Sequence, residues 1–236
     1  AYESKYGLRG FANYDFSKSK VIVSVGADFL GDWQGGGFDV SYAKGRIPNK
    51  GKMSRHIQFE SNMTLSGANS DLRIPLKYDE QKLVILEIYN SLFGKKIKID
   101  SNLSISDKLR KAIDTTIEEI KSNKKGSVII SGIQDENFQN LILQINEKLS
   151  SDSFNPSKTI LTRNGNDEEV VQLISDMNQG KIGALIMCGV NPAYTLSNSE
   201  EFIKSLKSLE MSICFSMKND ETANHSKYVA ASNHYF

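Results

Sequence analysis

Three short apolar runs stop abruptly at glycine: VIVSVG (21–26), SVIISG (127–132) and ALIMCG (184–189). Each is short enough for a strand, too short for a helix, and apolar enough to be buried on both faces. Amphipathic helical stretches lie around them. After Ser106, which can cap a helix, Leu109, Ile113, Ile117 and Ile120 recur at spacings of four, four and three, the mark of one helix face. Asp135 opens ENFQNLILQINEKLS, which puts Phe138, Leu141, Ile142 and Ile145 on one side. Strands alternating with helices in this way demand parallel sheets with helices packed on them.

The rest of the chain extends the pattern. Residues 1–19 read as an irregular lead-in that packs its aromatics. Residues 38–46 suit a short helix stopped by Gly45 and Pro48, after the flexible break at 34–37. HIQFE (56–60) and DLRIPL (71–76) read as strands, the second at an edge because of Pro75. Asp79 is placed to cap EQKLVILEIYNSLFG, with Leu83, Leu86, Ile88 and Phe93 facing inward and Gly94 ending the helix. KTILT (158–162), MSICFS (211–216) and KYVAA (227–231) read as strands. Residues 167–179 form a helix, as does EEFIKSLKSL capped by Ser197 or Ser199, and NDETANHS forms a turn or short helix. A composition shift puts a joint near residues 95–104. The predicted fold class is α/β: two Rossmann-like lobes with mainly parallel sheets flanked by helices, over 1–100 and 101–236.

Composition removes several function classes. The 236 residues are 39% apolar and 24% charged, with a formal net charge of +1, so no global field draws nucleic acid or anionic lipid. No apolar run approaches the ~20 residues of a membrane span, and AYESKYGLRG lacks the apolar core of a signal peptide. The only cysteines, Cys188 and Cys214, sit in apolar runs. They read as buried thiols, or as a disulfide if their strands are adjacent. His56, His225 and His234 are too dispersed for a metal site.

In parallel sheets ligands meet the carboxyl ends of the strands near the switch point. Candidate binding residues therefore cluster behind the glycines: Gly26, Ala27 and Asp28; Gly132; and Gly189, Asn191 and Thr195. Glu60 ends the second strand, where a Rossmann site carries its ribose-binding acid. Glu221 and Thr222 are placed to approach the Asn191 loop. Each group also has a plain reading as turn and capping chemistry, and Trp33 reads as a ligand-stacking ring or a packing anchor. No residue is a catalytic candidate. An internal echo links the halves: LSGANSDLRIP (65–75) and DETANHSKYVA (220–230) share Ala-Asn, then polar residues, then an extended stretch.

Three stretches carry a resemblance to a known family: YDFSKSKVIVSVGADFLGDW, HIQFESNMTLSGANSDLRIPLKYDEQKLVILEIYNSL, and IGALIMCGVNPAYTL followed by NDETANHSKYVAASNHYF. They resemble the central, cofactor-cradling region of molybdopterin oxidoreductases, and most of all the molybdopterin-like part of the large iron–sulfur subunit of alternative complex III, a quinol-oxidising respiratory assembly. The resemblance covers nearly the whole chain. It implies a fragment on the periplasmic side, with iron–sulfur clusters elsewhere in the parent, and the parent's other domains and iron–sulfur and membrane subunits as partners. It implies neither nucleic acid nor a direct membrane span. In cofactor-bearing members two related lobes each hold a pterin guanine dinucleotide, so the Gly26 and Gly189 tips would border one crevice. The sequence departs from that pattern: no Cys or Ser stands where it could obviously ligate molybdenum. Lys227 stands where the family usually has Asp, and Ala231 near its usual Pro. The resemblance therefore favours a scaffold with no cofactor of its own. Two alternatives are a genuine molybdopterin guanine dinucleotide-binding region and an unrelated nucleotide-binding α/β protein.

Overall fold

The computed structural model describes residues 1–48, 53–97, 105–161 and 165–234. The chain divides into two compact units, Ala1–Asn164 and Gly165–Phe236. The joint expected near 95–104 falls mostly on residues outside those described. The residues after it belong to the first unit, because the strand at 127–131 hydrogen-bonds to the strand at 21–25.

The first unit contains, in order, α1 (Tyr2–Tyr6), β1 (Phe11–Tyr14), β2 (Val21–Val25), α2 (Asp39–Arg46), β3 (Arg55–Glu60), α3 (Leu65–Ala68) and β4 (Leu72–Pro75). These are followed by α4 (Tyr78–Phe93), α5 (Asp107–Asn123), β5 (Ser127–Ser131), α6 (Glu136–Leu149) and β6 (Phe154–Ile160). Its main sheet has the order β4-β3-β2-β5, with every pair parallel. In chain order this is third, second, first, fourth, the order with which a Rossmann sheet begins. Both faces are covered. Val21, Val23, Val25, Ile57, Phe59 and Ile129 lie under α4, α5 and α6. Ile22, Val128 and Ile130 lie against Phe16, Phe29, Phe38 and Tyr42. That is why VIVSV and SVIIS carry no polar stripe.

Several local expectations change. The lead-in is ordered: β1 pairs antiparallel with β6, so the strand expected at 158–162 lies earlier, outside the parallel sheet. A two-stranded ribbon tolerates Pro156, which could not donate in a central strand. Gly45 lies within α2 instead of stopping it. Asp79 lies in the first turn of α4 and is not its cap; Glu80 Oε2 instead accepts from the Lys77 N–H (2.7 Å). The buried side of α4 is Val84, Ile85, Ile88 and Tyr89, while Leu83 and Phe93 are only partly buried. Ser106 and Asp135 cap their helices as expected.

The second unit contains α7 (Asp167–Asn178), β7 (Ala184–Cys188), α8 (Pro192–Thr195), α9 (Ser199–Ser208), β8 (Met211–Ser216), α10 (Glu221–His225) and β9 (Tyr228–Ala231). Asn198, not Ser197 or Ser199, occupies the N-cap of α9. The sheet β7-β8-β9 is parallel throughout. Ile174, Met177, Met187, Phe202, Leu206 and Cys214 form its core. Cys188 and Cys214 are both free thiols. Their strands are adjacent, but Cys188 pairs with Phe215 while Cys214 pairs with Met187, so the two side chains leave opposite faces. Cys188 is exposed, against the expectation of two buried thiols.

The internal echo is structural. β7, β8, α10 and β9 repeat β2, β3, α3 and β4 in order and pairing. The register differs from the Ala-Asn match by one residue: Leu72 pairs beside Ile57 as Tyr228 pairs beside Ile213. Pairing decides this, because a one-residue slip would turn each strand's apolar side to the wrong face.

Candidate functional site

The glycine tips lie at the carboxyl ends of parallel strands, as expected. Gly26 has φ 69° and donates its N–H to Phe59 O (2.7 Å). A Cβ there would lie 2.3 Å from Gln81 Oε1. At Gly132 a Cβ would lie 2.1 Å from Gly26 O. The two tips are thus brought together, and glycine at 132 serves the close approach of two backbones. Ala27 is buried, and its carbonyl accepts from Ser24 Oγ (2.9 Å) and Gln58 Nε2 (3.2 Å). Asp28 Oδ1 accepts from both the N–H (2.9 Å) and the hydroxyl (2.7 Å) of Ser66.

Glu60 is 1% exposed. Its carboxylate accepts from Arg73 Nε (2.5 Å), Thr64 Oγ1 (2.6 Å) and Gln58 Nε2 (3.2 Å). A Cβ on Gly67 would fall on it. The polar chain continues inward from Gln58 Oε1 to His56 Nε2 (3.1 Å), and from His56 Nδ1 to the Tyr42 hydroxyl (3.1 Å). Gln58 Nε2 donates to Ala27 and Glu60, so its Oε1 is the acceptor and His56 carries its proton on Nε2. Burial pushes the His56 pKa down to about 4. Nothing in the letters HIQFE signals that its polar residues are buried, because the alternation there is of two buried faces.

In the second unit Gly189 has φ 62° and donates to Phe215 O (3.0 Å), with no atom within 4 Å of a Cβ. Asn191 Oδ1 accepts from the Thr222 N–H (3.1 Å) and hydroxyl (2.7 Å). Asn191 Nδ2 donates to Glu221 Oε2 (2.7 Å), and that bond holds the Glu221 carboxyl below its usual range. Thr195 Oγ1 donates to Asn191 O (3.1 Å). All five candidates in this unit therefore belong to one loop cluster. The repeat extends to single atoms. Ser66 Oγ also accepts from the Leu30 N–H (2.9 Å), and Thr222 Oγ1 from the Ala193 N–H (3.0 Å). Ser66 escaped the sequence reading; the signal was its place in LSGAN opposite Thr222 in ETAN, visible only at the corrected register.

A cavity of about 470 Å³ opens at the switch point of the first unit, beside Gly132 and the β2 loop. Tyr2, Phe11, Tyr14 and Trp33 line it, with Gln34, Gln134 and Gln139. Gln139 Nε2 is engaged by Ser131 O (3.1 Å) and Ile133 O (2.6 Å). Asp32 is the one charged side chain among the described residues lining it. Trp33 also packs on Tyr14 and Phe38, with ring centroids 5.9 and 5.3 Å away, as a packing anchor does. Among the described residues no group of three or more His, Cys, Asp or Glu could hold a metal ion. Nor among them is any helix long and apolar enough to cross a membrane. No protein-family model matches the sequence, and no curated protein matches it either.

Proposed function

We propose that this chain is the molybdopterin-oxidoreductase-like scaffold of a subunit in a quinol-oxidising respiratory complex on the periplasmic side, with a degenerate cofactor site. One observation carries the degeneracy: the groups at the strand tips of the first unit are engaged by one another. Gly26 is closed by Gln81, Gly132 by Gly26, Asp28 by Ser66, and Glu60 by Arg73, Thr64 and Gln58. A pterin guanine dinucleotide needs open backbone for its phosphates and a free acid for its ribose. The tips offer neither, and the switch-point cavity meets a phosphate with the Asp32 carboxylate and no lysine or arginine among its described lining. The residues present do not fit that cofactor in the first unit.

In this reading electrons travel through iron–sulfur clusters in other parts of the parent, and these two units hold neighbouring parts in place. Two measurements test it. Elemental analysis and oxidised-pterin fluorescence of the purified chain should find neither stoichiometric molybdenum or tungsten nor pterin. Finding either returns the chain to the genuine cofactor binders. Affinity purification of the complete gene product from host membranes should bring down iron–sulfur and integral membrane subunits with quinol oxidation. A product that purifies alone removes the respiratory assignment.

A further inference from the structure

The second unit leaves one face of a parallel sheet bare. Leu185, Met187 and Cys214 point into the core with residues of α7 and α9. Alternation sends Ala184, Ile186 and Cys188 to the other face, where register sets them beside Met211, Ile213 and Phe215, and Ile213 beside Tyr228. Ile186 and Tyr228 are each 61% exposed and Phe215 40%. None of these seven side chains is charged. Parallel sheets occur almost only with both faces covered. The strands advance in one direction, β7 to β8 to β9, so right-handed crossovers put every connecting helix on the same side.

The first unit shows what belongs on the bare side. By the repeat, Val21, Val23 and Val25 correspond to Ala184, Ile186 and Cys188, and Phe59 to Phe215. There that face is fully buried, packed against Val84, Ile85 and Ile88 of α4 and Ile113 and Ile120 of α5. α4 begins directly after β4, the strand equivalent to β9. We propose that the outer face of β7, β8 and β9 is the docking surface for a layer of amphipathic helix like α4 and α5, carried by the polypeptide that continues from β9. Its contacting stripe is branched aliphatic, because the surface it meets is apolar and uncharged. It shares with the proposed function the reading of this chain as part of a longer polypeptide, and is independent of the respiratory role.

Cys188 supplies the probe and buried Cys214 the internal control. In the 236-residue chain N-ethylmaleimide should modify Cys188 readily and leave Cys214 protected. In the complete gene product, alkylation of Cys188 should slow on the order of tenfold or more. Phe215→Lys supplies a second readout. It should move the melting temperature of the 236-residue chain by less than about 2 °C, since the site is open to water, and lower that of the complete product by about 5 °C or more. Equal Cys188 reactivity in both proteins overturns the proposal. So does a complete product in which Phe215→Lys is silent, or one whose Cys188 is protected only by dimerisation, read as protection lost on dilution.

Discussion

Thr222 gives both of its donors to one atom, the Oδ1 of Asn191, at 3.1 Å from its N–H and 2.7 Å from its hydroxyl. The bond pins the loop behind β7 to the start of α10 across the strand ends. Ser66 does the same to Asp28 in the first unit, with an acid in place of the amide. The shared requirement is a side-chain oxygen that only accepts, which Asp and Asn both offer.

Two substitutions separate acceptor from charge. Asp28→Asn keeps the accepting oxygen and should change stability by less than about 1 kcal/mol, whereas Asp28→Ala strands the buried Ser66 donors and should cost about 1–3 kcal/mol. Asn191→Ala should cost a similar amount in the second unit. Urea unfolding followed by Trp33, the single tryptophan, reads the first unit; hydrogen exchange in β8 reads the second. Equal effects from Asp28→Asn and Asp28→Ala would show that the charge, not the acceptor, matters.

The glycine tips should differ in tolerance. Gly132→Ala drives a methyl into the Gly26 carbonyl at 2.1 Å and should cost about 3 kcal/mol or more, since backbone cannot step aside cheaply. Gly189→Ala meets no atom and bears only the strain of φ 62°, about 1 kcal/mol; a β-branched residue such as Val should cost on the order of 1–3 kcal/mol. Calorimetry of the variants decides the ranking.

Glu60→Ala should be among the most destabilising single changes, because it leaves Arg73, Thr64 and Gln58 with unmet donors around a buried position. A loss of about 3–5 kcal/mol is expected. Adding Arg73→Met should recover part of it. A double variant no more stable than Glu60→Ala alone would show that the ion pair is not the source.

His56 should make the first unit acid-sensitive. Its folded pKa, about 4, lies below the ordinary 6.5. The unfolded chain therefore binds more protons between those values. The stability this contributes is fully present above pH 6.5 and is lost as pH falls toward 4, with a slope of at most about 1.4 kcal/mol per pH unit. Arg46, Asp71, Glu60 and Tyr42 surround it; the Arg46 charge opposes protonation, while Asp71 and Glu60 favour it. His56→Gln should flatten the stability–pH profile over that window, measured by urea midpoints at successive pH values.

The sequence by itself determined the α/β class, most helix and strand positions, the caps at Ser106 and Asp135, and the glycine-ended tips. Each follows from periodicity, or from a side chain bonding to backbone only a few residues away. It also brought Asn191, Glu221 and Thr222 to one loop cluster, because the repeat left a trace in composition. Tertiary structure decided the rest. β5 joined the first sheet, against a boundary drawn from composition, because strand pairing reaches across any number of intervening residues. Glu60 turned inward because Arg73, Thr64 and Gln58 converge on it from three positions. The two cysteines parted because strand register sets which face each side chain leaves. The bare face of the second sheet could not be read from apolar runs, since a strand buried on both faces and a strand awaiting its cover have the same sequence signature.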